Sequence, residues 1–222
     1  MKKHIHDLGF SFLDQNILQD LMYATTHNFT GVVVEGYTFN RAIGTKEMVE
    51  ALRKVQIDLT KKGFTLLVKD AYRPHRAVHF FNTIWKNMPD DLKMKRYYYP
   101  DLQKTELFEN GYLAKHYSRH SSGSTVDLTL VDINTNKELD MGSPVDFLGA
   151  ASHLAFTELT ELQQKNRSVL TRVMQENGFK GVSTEWWHFS LINEPFCNQA
   201  FDFTYDDDGW IINGNTEPIY WQ

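Results

Sequence analysis

The sequence predicts an α+β domain with a central, mainly antiparallel sheet flanked by helices. Three observations carry that expectation. Helical and strand patterns are interspersed without the regular strand–helix–strand alternation of a parallel sheet. No internal repeat, low-complexity run or linker divides the 222 residues, so 1–222 reads as one domain. Hydrophobic residues make up 41% of the chain and aromatic residues 14%, which is ample for a core.

The elements follow in order. Residues 1–44 read as irregular apart from a short strand at 31–34, with His4 and His6 on a frayed terminus. Residues 45–62 read as a helix: Met48, Leu52, Val55 and Leu59 recur at helical spacing, Thr45 can cap the start, and Gly63 sits where a closing glycine belongs. A strand follows at 64–68 and ends near Lys69 and Asp70. Pro74 stops it and suits the first turn of a helix that carries Ala77, Val78, Phe81 and Trp85 on one face. The stretch 87–111 reads as mostly loop with one short helix. Residues 126–131 alternate as a strand does, 134–136 turns, and Glu138-Leu139 begins a partner strand. Thr160 to Asn177 reads as a helix with Leu162, Val169, Leu170 and Val173 apolar, closed by Gly178. A strand at 187–192 and a small hairpin at 205–215 complete the chain.

Composition excludes several functions. The net charge is −5 and no basic block is present, which argues against nucleic acid as a partner. No run approaches the roughly 20 apolar residues of a membrane span. The one cysteine, Cys197, cannot form an internal disulfide and reads as a small buried hydrophobe. The cytoplasm is the expected compartment, with the periplasm the alternative for a chain whose signal peptide has been removed.

Chemistry concentrates in two segments. In K-H-Y-S-R-H-S-S-G-S-T-V-D-L-T-L (115–130), His120 sits in a loop of small residues and Asp127 lies inside a strand of Val and Leu. A buried carboxylate is costly unless it is paired or binds a metal. In T-E-W-W-H-F (184–189), Glu185 and His188 flank two tryptophans. Three residues apart in a straight strand they would face opposite ways, so Glu185 is expected in a turn before the strand. Taken singly, each motif reads as well as a hydrogen-bonded structural group. Together, His120, Asp127 and His188 make a three-ligand set that leaves the fourth position of a tetrahedral zinc to water. Glu185 is then a spare carboxylate fit for general base catalysis. Arg73, in D-A-Y-R-P (70–74), is either a surface partner of Asp70 or a stabiliser of an oxyanion.

With these pieces in order the chain resembles the D-alanyl-D-alanine dipeptidases. These are the VanX-type branch of zinc peptidases that share a fold with zinc D-Ala-D-Ala carboxypeptidases and the hedgehog signalling domain. The likeness runs through G-F-S-F-L-D (9–14), G-Y-x-x-N-R (36–41), D-A-Y-R-P-x-R-A-V (70–78), S-x-H-x-x-G-S-x-x-D-L-T-L (118–130), M-G-S-x-x-D-F (141–147), E-W-W-H (185–188) and F-D-F (201–203). The resemblance implies one zinc per chain on His120, Asp127 and His188, Glu185 as base and Arg73 at the transition state. It further implies that Asp146 receives the amino group of a small D,D-dipeptide, and that Tyr23 and Ser118 line a small closed pocket. A homodimer is left open. A peptidoglycan carboxypeptidase of the same superfamily and a non-hydrolytic zinc-containing binding module are the competing expectations. Arg119 departs from the family pattern, where a small residue stands, and residues 205–222 run past the family's usual end.

Overall fold

A computed structural model describes residues 2–221. Three short strands open the chain, β1 (Phe10–Phe12), β2 (Leu18–Gln19) and β3 (Ile43–Thr45), and α1 (Lys46–Thr60) follows. Next come β4 (Phe64–Asp70), α2 (His75–His79) and two short helices, α3 (Leu92–Tyr98) and α4 (Lys104–Glu109). The chain continues through β5 (Thr125–Asp132), β6 (Lys137–Glu138), α5 (Glu161–Glu176), β7 (Phe179–Val182) and β8 (Glu185–Leu191). It ends in β9 (Gln199–Tyr205) and β10 (Ile211–Tyr220). The central sheet has the order β2-β4-β5-β8-β7, with β6 also on β5. Only the β2–β4 pairing is parallel, so the expected antiparallel α+β architecture holds.

Helix α1 starts where its cap predicts. Thr45 Oγ1 accepts a hydrogen bond from the Met48 amide at 3.3 Å, and Met48, Leu52, Val55 and Leu59 are fully buried. α5 is capped by Thr160 and Gln163, but its buried face differs from the expected one. Leu162 is exposed, while Asn166 and Arg167 are buried. Their side chains bond the carbonyls of Asp140, Met141, Ala151 and His153, so a polar pair replaces the aliphatic contact and is satisfied.

Other expectations are corrected. No strand forms at 31–34. Asn28 donates to the carbonyls of Met22, Thr25 and Val32, and these side-chain bonds hold the segment as a loop. The stretch 87–111 holds two helices, capped by Asp91 and Gln103. The last hairpin is longer than expected and begins at Gln199. The N-terminus is not frayed: Ile5 donates to Gly209, Ile211 donates to Lys3, and His4 Nε2 lies 2.8 Å from the Asp208 carbonyl. Cys197 is exposed rather than buried.

An aromatic cluster ties the ends to the middle. Phe10 packs edge-on against Tyr72, Phe201 and Phe203 at ring separations of 5.3 Å. Gly123, which closes the short helical turn Arg119–Ser122 before β5, has φ +80 and backs onto the Phe10 ring. A Cβ there would clash with that ring and disfavour the left-handed backbone. Gly123→Ala is expected to cost about 2–4 kcal/mol, lowering Tm by about 5–15 °C in a thermal melt.

Candidate active site

The site grows from one row across the sheet. Asp127 on β5 lies opposite Asp70 on β4 and opposite His188 on β8. Directly opposed residues share a face, so three chemically active side chains from three strands meet. Two irregularities arrange this. The β4–β5 register shifts between Val68 and Asp70, which brings Asp70 rather than Lys69 opposite Asp127. On β8, Gly181 pairs Phe189 but Val182 pairs Glu185, so Trp186–His188 form a bulge.

That bulge resolves the Glu185 geometry. Glu185 is the first residue of the strand, not part of the turn before it, and the bulge swings it to the side of His188. Its Oε2 lies 3.5 Å from His188 Nδ1. Trp186 and Trp187 are buried, and Trp186 Nε1 donates to Ser143 Oγ at 2.9 Å, which fixes the bulged frame.

His120 arrives from the turn before β5. Ser118 Oγ accepts from the His120 amide, and His120 Nδ1 lies 2.8 Å from the Ala71 carbonyl. A carbonyl only accepts, so Nδ1 carries the proton and the Nε2 lone pair faces the cluster. His120 Nε2 is 3.1 Å from Asp127 Oδ2, His188 Nδ1 is 2.9 Å from Asp127 Oδ1, and the two imidazole nitrogens are 3.3 Å apart. Ligand arms of about 2.0–2.1 Å around a tetrahedral ion separate neighbouring ligands by about 3.3 Å. The donor set therefore fits a metal ion, and its three ligand atoms lie within 4.8 Å of one another.

Charge is tightly packed here. Burial opposes ionisation of Asp127, but His120 and His188 outweigh it and hold its carboxyl below the usual range. Burial also opposes charge on His188, yet Asp127 and Glu185 raise its pKa. Glu185 is pushed up to about 8, chiefly by burial, with Asp127 and Asp146 adding to the rise. Arg73 is not a surface residue. It is buried, with Nη2 2.8 Å from Asp70 Oδ2 and 3.5 Å from Asp127 Oδ2, and its guanidinium lies 4.9 Å from the Tyr23 ring centre.

The eight residues singled out in the sequence (Tyr23, Arg73, Ser118, His120, Asp127, Asp146, Glu185 and His188) all line one cavity of about 200 Å³. Asp146 is buried, with φ +63, a left-handed backbone that non-glycine residues adopt at some strain. Tyr23 donates its hydroxyl to Asp146 Oδ2 at 2.5 Å, and no cation lies within ion-pair distance of Asp146 among the described residues. Burial first, then the charge of Asp127, pushes the Asp146 carboxyl up to about 7.

Sequence reasoning missed several participants. Asp70, treated only as a surface partner of Arg73, is buried, accepts from Tyr37 at 2.7 Å and anchors the guanidinium. Its signal was the D-A-Y-R-P segment itself. Arg119 lines the cavity mouth, half-exposed and 3.3 Å from Glu194, which also accepts from Ser122 at 2.7 Å. Tyr112 lines the cavity with its hydroxyl 2.6 Å from His153 Nε2. Arg119 stood out in the sequence as a departure from the family pattern, but its contact with Glu194 did not, and nothing in the pattern marked the Tyr112–His153 contact.

A buried His-Asp-His donor set with a spare carboxylate beside it, on an antiparallel sheet of one α+β domain, defines a class: the metallopeptidases. The comparison with known families is specific. The profile of the M15 peptidases, described as D-ala-D-ala dipeptidase, matches residues 2–206, and the chain belongs to this family. It is 41% identical over 200 residues to the D-alanyl-D-alanine dipeptidase of Enterococcus faecium, covering 89% of this chain and 98% of that protein. The dipeptidase of Enterococcus faecalis is 42% identical over 198 residues, covering 88% of this chain and 97% of the relative. That of Escherichia coli K12 is 34% identical over 185 residues, covering 83% of each. Among the described residues no helix is long and apolar enough to cross a membrane.

The raised carboxyl at Asp146 has a consequence for stability. A carboxyl whose pKa rises from an ordinary 3.8 to about 7 on folding binds its proton more tightly in the folded chain. Its contribution is complete below the lower value and is lost as pH climbs through the higher one. Metal-free protein is expected to lose stability between these two pH values. Asp146→Asn should flatten that part of the Tm–pH curve, leaving the residual slope of Glu185, as thermal melts across pH would read.

Proposed function

We propose that the chain is a zinc-dependent dipeptidase that hydrolyses D-Ala-D-Ala to two D-alanines, with one zinc on His120, Asp127 and His188. The observation that carries this reading is the single small cavity onto which the donor set, Glu185, Arg73 and Asp146 all open. At about 200 Å³ it is smaller than the roughly 300–1,000 Å³ of sites for larger ligands. That volume suits a small ligand of dipeptide size. The names of the relatives support the same substrate.

When bound, zinc supplies Lewis acidity, polarising a carbonyl oxygen and lowering the pKa of water toward about 7. The protein's own groups do the rest. Asp146, buried without a cation of its own, receives the substrate ammonium, and that charge compensates the carboxylate. Tyr23 holds the Asp146 carboxyl in place through its hydroxyl. Glu185 Oε2, beside the ligand set, takes the proton of the attacking water and later delivers it to the departing amine. Its raised pKa suits a group that must hold a proton between those two events. Arg73, anchored by Asp70, sets a fixed positive charge against the developing oxyanion. Arg119 at the mouth offers a second cation, placed for the free carboxylate of the dipeptide.

The competing readings meet specific objections. A carboxypeptidase acting on long chains needs an open cleft and gains nothing from a buried acid where the amine would sit. A non-hydrolytic binding module has no use for Glu185 held 3.5 Å from a ligand nitrogen.

Release of D-alanine from D-Ala-D-Ala, beside L-Ala-L-Ala and N-acetyl-D-Ala-D-Ala, tests the proposal with zinc-loaded and chelator-stripped protein. Zinc-dependent cleavage of the free D,D-dipeptide alone is expected. Cleavage of the acetylated substrate would favour a carboxypeptidase, and inactivity with zinc bound would favour the binding module. Glu185→Ala is expected to lower kcat by about 10²–10⁴-fold or more while zinc content by metal analysis is unchanged. Arg119→Ala is expected to raise KM for D-Ala-D-Ala by about tenfold with little change in kcat, as steady-state kinetics would read.

A further inference from the structure

We propose that Trp221, carried by β10, is a positioning residue for the mouth of the catalytic cavity: it clamps Tyr117, and through Tyr117 it sets where Arg119 meets the carboxylate of the dipeptide. The effect on substrate, though not the clamp itself, rests on the dipeptidase reading. The family profile ends at residue 206, so β10 and Trp221 lie outside the matched stretch. Trp221 nonetheless reaches the edge of the site. Its ring stacks on Tyr117 with centres 5.0 Å apart and planes 11° from parallel. Tyr117 lines the catalytic cavity, and so do Ser118 and Arg119, which follow it in the chain.

The clamp matters because little else holds this segment. Among the described residues, 115–117 make no backbone–backbone hydrogen bond. The flanking anchors are Asn82, which donates to the Ala114 carbonyl at 2.9 Å, and Ser118, which caps the turn Arg119–Ser122. Between them Lys115, His116 and Tyr117 are exposed, and ring stacking is what fixes Tyr117.

Both rings that stack on Tyr117 are tied to the final hairpin. The Trp221 amide donates to the Asn198 carbonyl at 3.1 Å, continuing the β9–β10 ladder beyond the Tyr220–Gln199 pair. The other ring is His75, the first residue of α2, 5.1 Å away and 20° from parallel. The next residue joins α2 to β9: Arg76 donates its amide and Nε to Asp202 Oδ1, at 2.9 and 2.8 Å. His120 has anchors of its own, since its Nδ1 faces the Ala71 carbonyl and its carbonyl accepts from the Arg73 amide at 3.3 Å. Loosening Tyr117 is therefore expected to weaken substrate binding at Arg119 while the donor set stays in place.

The test compares Trp221→Ala with Trp221→Phe, which keeps a stacking ring, in zinc-loaded protein. Steady-state kinetics on D-Ala-D-Ala and mass spectrometry of limited tryptic cleavage after Lys115 are the two readouts. In Trp221→Ala, KM and the rate of cleavage after Lys115 are each expected to rise about three- to tenfold, the scale of one aromatic stacking contact. kcat, zinc content and cleavage at other lysines should be unchanged, and Trp221→Phe should behave as wild type. Unchanged cleavage after Lys115 in Trp221→Ala would overturn the clamp. So would faster cleavage at lysines throughout the chain, the mark of general destabilisation. An unchanged KM, a fall in kcat, or failure of Trp221→Phe to restore the wild-type values would overturn the positioning role. A wild-type chain that binds zinc but leaves D-Ala-D-Ala intact would overturn the dipeptidase reading instead, and cleavage after Lys115 would still decide the clamp.

Discussion

The charge on Asp127 is the constraint on which the rest of the site depends. A carboxylate in the middle of an aliphatic strand is tolerable only if its surroundings supply positive charge or donors. His120, His188 and Arg73 supply them from three directions. Each of those partners then needs its own support. Arg73 leans on Asp70, Asp70 on Tyr37, and His120 on the Ala71 carbonyl. Two acids, Asp146 and Glu185, are added to this cluster, and burial makes both resist ionisation, although His188 lies 3.5 Å from Glu185. The empty demand for positive charge is where a metal ion and a substrate ammonium would find their binding energy.

Much of this was legible in the residues. Helix α1 could be read from four aliphatic positions, a cap and a glycine, because its partner is the bulk of the core and any aliphatic stripe serves. The position of Asp127 inside β5 was legible because a charged residue among Val and Leu is a visible anomaly. The eight residues that line the cavity could be named from the sequence, His120, Asp127, His188, Glu185 and Arg73 from motif chemistry and family likeness together, and Tyr23, Ser118 and Asp146 from the likeness alone.

What escaped reading depends on pairing between distant strands. The bulge over Trp186–His188 is a property of the β7–β8 register, and no local pattern announces it. Asp70 was underrated because its burial is decided by β5, which lies more than fifty residues on. On α5, Leu162 was expected in the core but is exposed, and Arg167, which the apolar pattern does not include, is buried. The carbonyls that accept from Arg167 come from loops whose course the helix itself does not encode.

The row across β4, β5 and β8 also has a consequence in time. His188 stands 61 residues beyond Asp127 and 68 beyond His120. Each contact must close a long loop, which delays it relative to the local helices. The donor set does not exist on a growing chain until β8 has been made and has docked on β5. An enzyme assembled this way is silent through most of its own synthesis and acquires its reactive centre as one of the last acts of folding.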